Sequence, residues 1–134
     1  MLKKFCPAIV WAILVFVLTA VPGNYIPISI TFLDWASPDK IVHFILFGGQ
    51  SFLILFAIRE QYFSGNRRFV FASVAIGLGI VYGLLTEVLQ YYVFVGRDGN
   101  LFDFIADVIG AFMGFLAFYL LFRKKTVHNK VIKN

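Results

Sequence analysis

Read for hydrophobic and polar positions, the chain is four long apolar runs separated by short polar connections. The first run covers about residues 5 to 22, and the second is "IVHFILFGGQSFLILFAI", 41 to 58. The third, "FVFASVAIGLGIVYGLLTEVLQYYVFV", spans 69 to 95, and the fourth, "FIADVIGAFMGFLAFYLLF", spans 104 to 122. Each is near or above the roughly 20 residues that a helix needs to cross the hydrocarbon core. The third is longer, which predicts a tilt or an interfacial turn at its end. "SPDK", before the second run, reads as a helix start, with Ser37 or Asp39 as cap and Pro38 in the first turn. The pattern therefore predicts an all-α fold: an integral membrane bundle of four transmembrane helices, residues 1–122, followed by a basic tail, 123–134. The first run also has the basic start of a signal peptide, Lys3 and Lys4, but its exit "LTAVPGNY" lacks a clean A-x-A site. It is expected to remain as the first span; cleavage would leave three.

Composition agrees with a bilayer solvent. The chain is 60% hydrophobic, 19% aromatic and only 14% charged, with mean hydropathy +0.86; a soluble domain carries about a quarter charged residues. The lone Cys6 excludes an internal disulfide.

A net charge of +5 raises the question of nucleic acid, and the placement of the charges answers it. Lys3 and Lys4 precede the first run, Arg59, Arg67 and Arg68 lie between the second and third, and Arg123, Lys124, Lys125, Lys130 and Lys133 follow the fourth. These are ten of the twelve basic residues; Lys40 and Arg97 belong to the alternate connections. Basic residues gather on the cytoplasmic side, so both termini are expected there, in the cytoplasmic membrane. The tail becomes an anchor on anionic lipid and not a nucleic-acid site. Of the seven acids, only Glu60 falls on the inner side; Asp34, Asp39, Glu87, Asp98, Asp103 and Asp107 map to the outer connections or outer helix halves. A solvated loop explains Asp34 and Asp98, but not Glu87 or Asp107, which interrupt spans.

Helical spacing gathers these residues. Asp39, Lys40 and His43 share the entry to the second span, and Gln50 continues roughly that face. In the third, Gly79, Gly83, Glu87 and Gln90 form an i, i+4, i+8, i+11 stripe. In the fourth, Asp103, Asp107, Gly110 and Gly114 form an i, i+4, i+7, i+11 stripe. Each stripe carries polar groups outward and glycines inward, predicting close helix packing under a shallow polar cavity. The first span offers no ionisable residue there and is expected mainly to pack. Tyr91 and Tyr92 read as interfacial anchors, and the aromatic excess, Phe-rich fourth span included, as lipid contact.

Three chemistries fit such a site. Lys40, Arg97 and His43 suit phosphate or pyrophosphate, with a carboxylate or His43 as acid or base. Asp103, Asp107 and Glu87, with His43, suit a divalent metal. A buried carboxylate also suits proton coupling or lipid movement. A fixed polar brace between helices, with Arg97 as counter-ion to the carboxylates, explains the same residues without a ligand. Signatures such as GxSxG, HExxH, CxxC and the Walker loop are absent.

"SPDKIVHFILFGG", then "GLLTEVLQ", then "GRDGNLFDFIADVIGAFMG", in that order over about residues 37 to 114, resemble the motifs of the VanZ-like membrane protein family. The resemblance implies Asp39, Lys40, His43, Glu87, Gln90, Arg97 and Asp103 as the characteristic polar residues. Members often carry Asn where this chain has Asp107, which here adds a carboxylate beside Asp103. The family is named for a protein associated with low-level teicoplanin resistance, so the resemblance implies a bacterial envelope role. The combined expectation is an outward-facing site that binds or processes a lipid-linked phosphorylated intermediate or lipid headgroup. Lys40, Arg97, Gln90 and Asp39 would hold it, and Glu87, His43 and Asp103 would catalyse. A structural or partner-binding protein and, further off, a small lipid transporter needing homo-oligomerisation are the alternatives.

Overall fold

The computed structural model describes residues 2–22, 38–97 and 99–131, with side chains from residue 3 to residue 123 within those ranges. Asp34, Ser37 and Asp98, and the side chains of the lysines beyond Arg123, lie outside the described residues. A short 3-10 turn, Leu2–Phe5, leads into α1 (Cys6–Ala20); α2 (Pro38–Ala57), α3 (Arg59–Ser64), α4 (Arg68–Tyr92) and α5 (Leu101–Val131) follow. Among the described residues there is no strand. Four segments are long and apolar enough to cross a membrane: Lys3–Ala20, Pro38–Ala57, Arg68–Tyr92 and Leu101–Arg123. They match the four apolar runs within a few residues. The third run does end in a turn, at Val93, and α3 is an element the hydropathy pattern did not predict. α5 continues to Val131, past residue 123 where the basic tail begins.

The bundle is apolar on its outside. Ile45, Val81, Phe112 and Leu121, one or more from each of α2, α4 and α5, are half-exposed or more, as suits helices solvated by lipid. Inside, small residues set the spacing. α2 packs most extensively on α5, where a Cβ on Gly110 would run into the Phe44 carbonyl and one on Gly114 into the Gly48 carbonyl. This "GAFMG" segment is a small-xxx-small contact of the kind that brings membrane helices together. On the other flank, a Cβ on Gly79 would meet Ser51 Oγ at 2.9 Å, and one on Gly83 would meet Asp107 Oδ2 at 2.8 Å. Gly83 thus makes the space that Asp107 occupies. α1 is fastened by Trp11 Nε1–H, which donates to the Leu46 carbonyl (2.8 Å), and by Tyr82 Oη–H, which donates to the Ala12 carbonyl (2.7 Å).

The end of the bundle away from the polar stripes is closed by aromatics. Phe118 is fully buried among Leu55, Tyr62, Phe63, Ala72 and Ala75, with ring centroids 5.3 Å from Tyr62 and 5.6 Å from Phe63. The aromatic excess is therefore partly core and not only lipid contact; α3 exists to supply Tyr62 and Phe63 to it. On this end Lys4 Nζ pairs with Glu60 at 3.0 Å, placing the chain start and the α2–α4 connection side by side. The Lys4 hydrogen bond and charge hold the Glu60 carboxyl below its ordinary range. Any stabilisation from the pair is present above the ordinary Glu range and fades as pH falls through that lowered value. Both groups are exposed, where screening leaves such pairs little worth. Glu60→Gln is expected to leave the thermal unfolding midpoint in detergent at pH 7 unchanged within error.

Candidate functional site

The polar stripes of α2, α4 and α5 meet at the opposite end. α2 contributes Asp39, Lys40 and His43 from its first two turns, α4 contributes Glu87 and Gln90 from its last two, and α5 contributes Asp103 and Asp107 from its first two. α4 runs antiparallel against α2 and α5, which both begin here, and so the three sets come to one level. The α4–α5 connection completes the group. Gly96 adopts a positive φ of 75°, a left-handed turn that glycine takes without steric cost. The chain then folds back so closely that a Cβ on Gly99 would meet the Glu87 carbonyl oxygen at 2.6 Å.

The partners are specific. His43 Nδ1 lies 2.9 Å from Asp107 Oδ1 and 3.6 Å from Glu87 Oε1. The ring N–H donates to the Asp107 carboxylate, which orients the imidazole. Glu87 Oε2 accepts the backbone N–H of Asn100 at 2.7 Å. Asn100 also caps α5, its Oδ1 accepting the N–H of Phe102 at 3.0 Å. Glu87 therefore sits at the N-terminus of α5, where the helix dipole favours a negative charge. Arg97 reaches elsewhere: Nη1 lies 3.0 and 2.9 Å from the two Asp39 oxygens, and Nε–H donates to the Val21 carbonyl at 2.8 Å. Lys40 Nζ stands 3.7 Å from Asp103 Oδ1. Gln90 Nε2–H donates to the Thr19 carbonyl at 2.9 Å.

Several expectations change on this geometry. Arg97 is not the counter-ion of Glu87 or Asp107; it ties Asp39 to the end of α1. The first span is not mere packing, since its terminal carbonyls, Thr19 and Val21, take Gln90 and Arg97. Asp103 turns to Lys40 at 3.7 Å, and the candidate ligands that approach one another most closely are His43, Glu87 and Asp107. One ligating atom from each of His43, Glu87 and Asp107 falls within 4.8 Å of the others. The polar groups are also buried more deeply than a shallow cavity implies: Asp107, His43, Gln90, Asp103 and Glu87 are 0%, 1%, 2%, 5% and 7% exposed. Gln50, about two turns beyond His43 along α2, is buried as well, and its Oε1 has no hydrogen-bond partner among the described residues.

Asn100, Thr19 and Val21 went unnoticed in the sequence. Asn100 had a readable signal, an Asn just before an apolar run with an acid three residues on. The two carbonyls had none, because a backbone acceptor is the same in every residue.

Carboxylates at this depth are costly in lipid, about 2.5 kcal/mol or more at a bilayer centre. The bundle meets that cost by pairing Asp39 and Asp103 with cations and by giving Glu87 and Asp107 an imidazole and an amide. His43 Nε2, Glu87 Oε1 and Asp107 Oδ2 are buried and lack hydrogen-bond partners among the described residues. An imidazole fixed at one nitrogen and open at the other is equipped to give or take a proton.

A family model described as VanZ/LLP1 matches residues 5–123, from the start of α1 to the end of the apolar part of α5. The chain belongs to the VanZ/LLP1 family. No curated protein and no solved structure matches it. As a VanZ/LLP1 member with four apolar spans it is a multi-pass membrane protein. The match takes in all three polar stripes and the connection that closes over them.

Proposed function

We propose that this VanZ/LLP1 protein binds and processes a phosphorylated lipid headgroup or lipid-linked envelope intermediate at the outer face of the cytoplasmic membrane. The observation that carries the reading is His43, held at Nδ1 by Asp107 while its buried Nε2 lacks a hydrogen-bond partner among the described residues. A side chain oriented by a second, inside a membrane bundle, is what proton transfer to a bound headgroup requires. Lys40 stands at the rim with about a quarter of its side chain exposed, close enough to attract an anion toward the cluster. Charge supports this orientation: Lys4, Arg59 and Arg68 share the end remote from the site, and of the described acids only Glu60 joins them there, the distribution expected where that end faces the cytoplasm. An effect on glycopeptide susceptibility would follow from altering such an intermediate.

The test is native mass spectrometry and lipid titration of the purified protein, beside His43→Ala and Lys40→Ala. Wild type is expected to carry a phosphorylated polyprenyl lipid or phospholipid. Lys40→Ala should bind it about tenfold more weakly, the worth of one charge-assisted contact, and His43→Ala should bind it but not turn it over. Equal binding and turnover in all three proteins would defeat the reading.

A second reading, a non-catalytic brace, is favoured by the contacts of Arg97 and Gln90 with α1. It expects His43→Ala to lose thermal stability with no ligand to lose.

A further inference from the structure

We propose that His43, Glu87 and Asp107 together bind one divalent transition cation, Zn2+ or Mn2+, within the bundle. The inference rests on the headgroup reading only for the ion's role, not for its binding.

Charge is the first argument. Asp39 and Asp103 each face a cation, at 2.9 and 3.7 Å. Among the described residues, the ion-pair partner of Glu87 and Asp107 is the imidazole between them, which Glu87 supplements with the Asn100 amide. In the form that binds a metal, both carboxylates ionised and the ring neutral, these three groups, all more than nine-tenths buried, carry a charge that a dication cancels. Burying that charge uncompensated is expensive.

Geometry is the second. Metal–ligand bonds of about 2.1 Å at tetrahedral to octahedral angles place neighbouring donor atoms roughly 3.0–3.4 Å apart. His43 Nδ1 stands 2.9 Å from Asp107 Oδ1 and 3.6 Å from Glu87 Oε1, a spread that brackets that range. All three donor atoms lie within 4.8 Å of one another, so an ion replacing the Nδ1 proton would draw the two carboxylates toward it.

Orientation is the third. Glu87 is held at Oε2 by the Asn100 amide, which leaves Oε1 aimed at the cluster and without a hydrogen-bond partner among the described residues. Asp107 Oδ2 is likewise buried without one, available for a second bond to the ion. An outer-shell hydrogen bond on a ligating carboxylate is how metal sites fix their ligands. One imidazole nitrogen with carboxylate oxygens suits Zn2+ or Mn2+ better than soft or purely oxygen-seeking ions.

Binding through Nδ1 has a consequence for the headgroup. The ring proton then resides on Nε2, so His43 presents a donor. The dication adds positive charge that Lys40 and Arg97, each already facing a carboxylate, do not supply alone.

The experiment uses tag-free full-length protein in detergent, stripped with chelator, reloaded with Zn2+ or Mn2+ and desalted before elemental analysis. Wild type and Glu60→Gln, whose change lies at the far end of the bundle, should each retain about one ion per chain and unfold at a higher temperature when loaded. Glu87→Gln and Asp107→Asn should retain at least tenfold less, within the range that loss of a ligand contact commonly costs. Glu87→Gln keeps an oxygen for the Asn100 amide and should remain folded, so its loss of metal is not a folding defect. Metal-free wild type, or full retention by both variants, overturns the proposal. Wild type that binds the ion but no phosphorylated lipid keeps the metal site and defeats the headgroup reading. Lipid binding by metal-free wild type does the reverse.

Discussion

Gly114→Val should fail to assemble a native bundle, with a loss of about 3 kcal/mol or more of stability, at or above the upper end of what overpacking usually costs. A Cβ at this position falls on the Gly48 carbonyl, and one at Gly110 on the Phe44 carbonyl. Both obstacles are backbone of α2, so no rotamer change relieves them; the helices must separate. Separation would also pull His43 on α2 away from Asp107 on α5, so the site is lost with the packing. Gly77→Ala is the control. Nothing lies within 4 Å of a Cβ there, and removing a helix glycine should be neutral or stabilise by about 0.5–1 kcal/mol. Thermal unfolding and size-exclusion profiles in one detergent would compare them. A Gly114→Val protein that melts like wild type would mean that α2 and α5 do not cross on these glycines.

Arg97→Ala should cost about 2–3 kcal/mol, less than the 3–5 typical of breaking a fully buried ion pair. The discount reflects Asp39, whose side chain is 29% exposed and can rehydrate, whereas Arg97 is 8% exposed. The side chain links the α4–α5 connection to the first turn of α2 and to Val21 after α1. Its removal leaves a carboxylate and a carbonyl together without partners. Arg97→Lys should recover little, because a single ammonium cannot serve two acceptors in the fixed geometry of a guanidinium. The Arg97→Ala/Asp39→Ala double variant should be less destabilised than the two single losses added, the signature of a direct pair. Unchanged stability together with lost headgroup binding would instead return Arg97 to the ligand-binding role its motif suggested.

Much of this molecule is local and could be read along the chain. The four spans are legible because crossing lipid demands about 20 apolar residues in succession. The stripes Gly79–Gly83–Glu87–Gln90 and Asp103–Asp107–Gly110–Gly114 are legible because helical spacing alone puts each set on one face, and all eight residues are buried. That the polar ends of these stripes should meet near Asp39, Lys40 and His43 also follows from alternating span direction.

Partner choice was not legible. Several pairings of Arg97, Lys40 and His43 with four carboxylates satisfy the same charge pattern, and the brace reading set Arg97 against Glu87 and Asp107. The rotation of each helix and the path of the connection through Gly96 and Gly99 decided otherwise. They send Arg97 to Asp39, give Glu87 the Asn100 amide, and put His43 between Glu87 and Asp107. α1 joined the site through carbonyls that no side-chain pattern announces. α3 and its aromatic cap on Phe118 escaped a hydropathy reading because six residues, Arg59–Ser64, are too few to show a period. Hydrophobic length and helical spacing are properties of neighbours in sequence. The contacts that make the site join residues up to 76 positions apart, as Arg97 and Val21 are, and only packing selects among them.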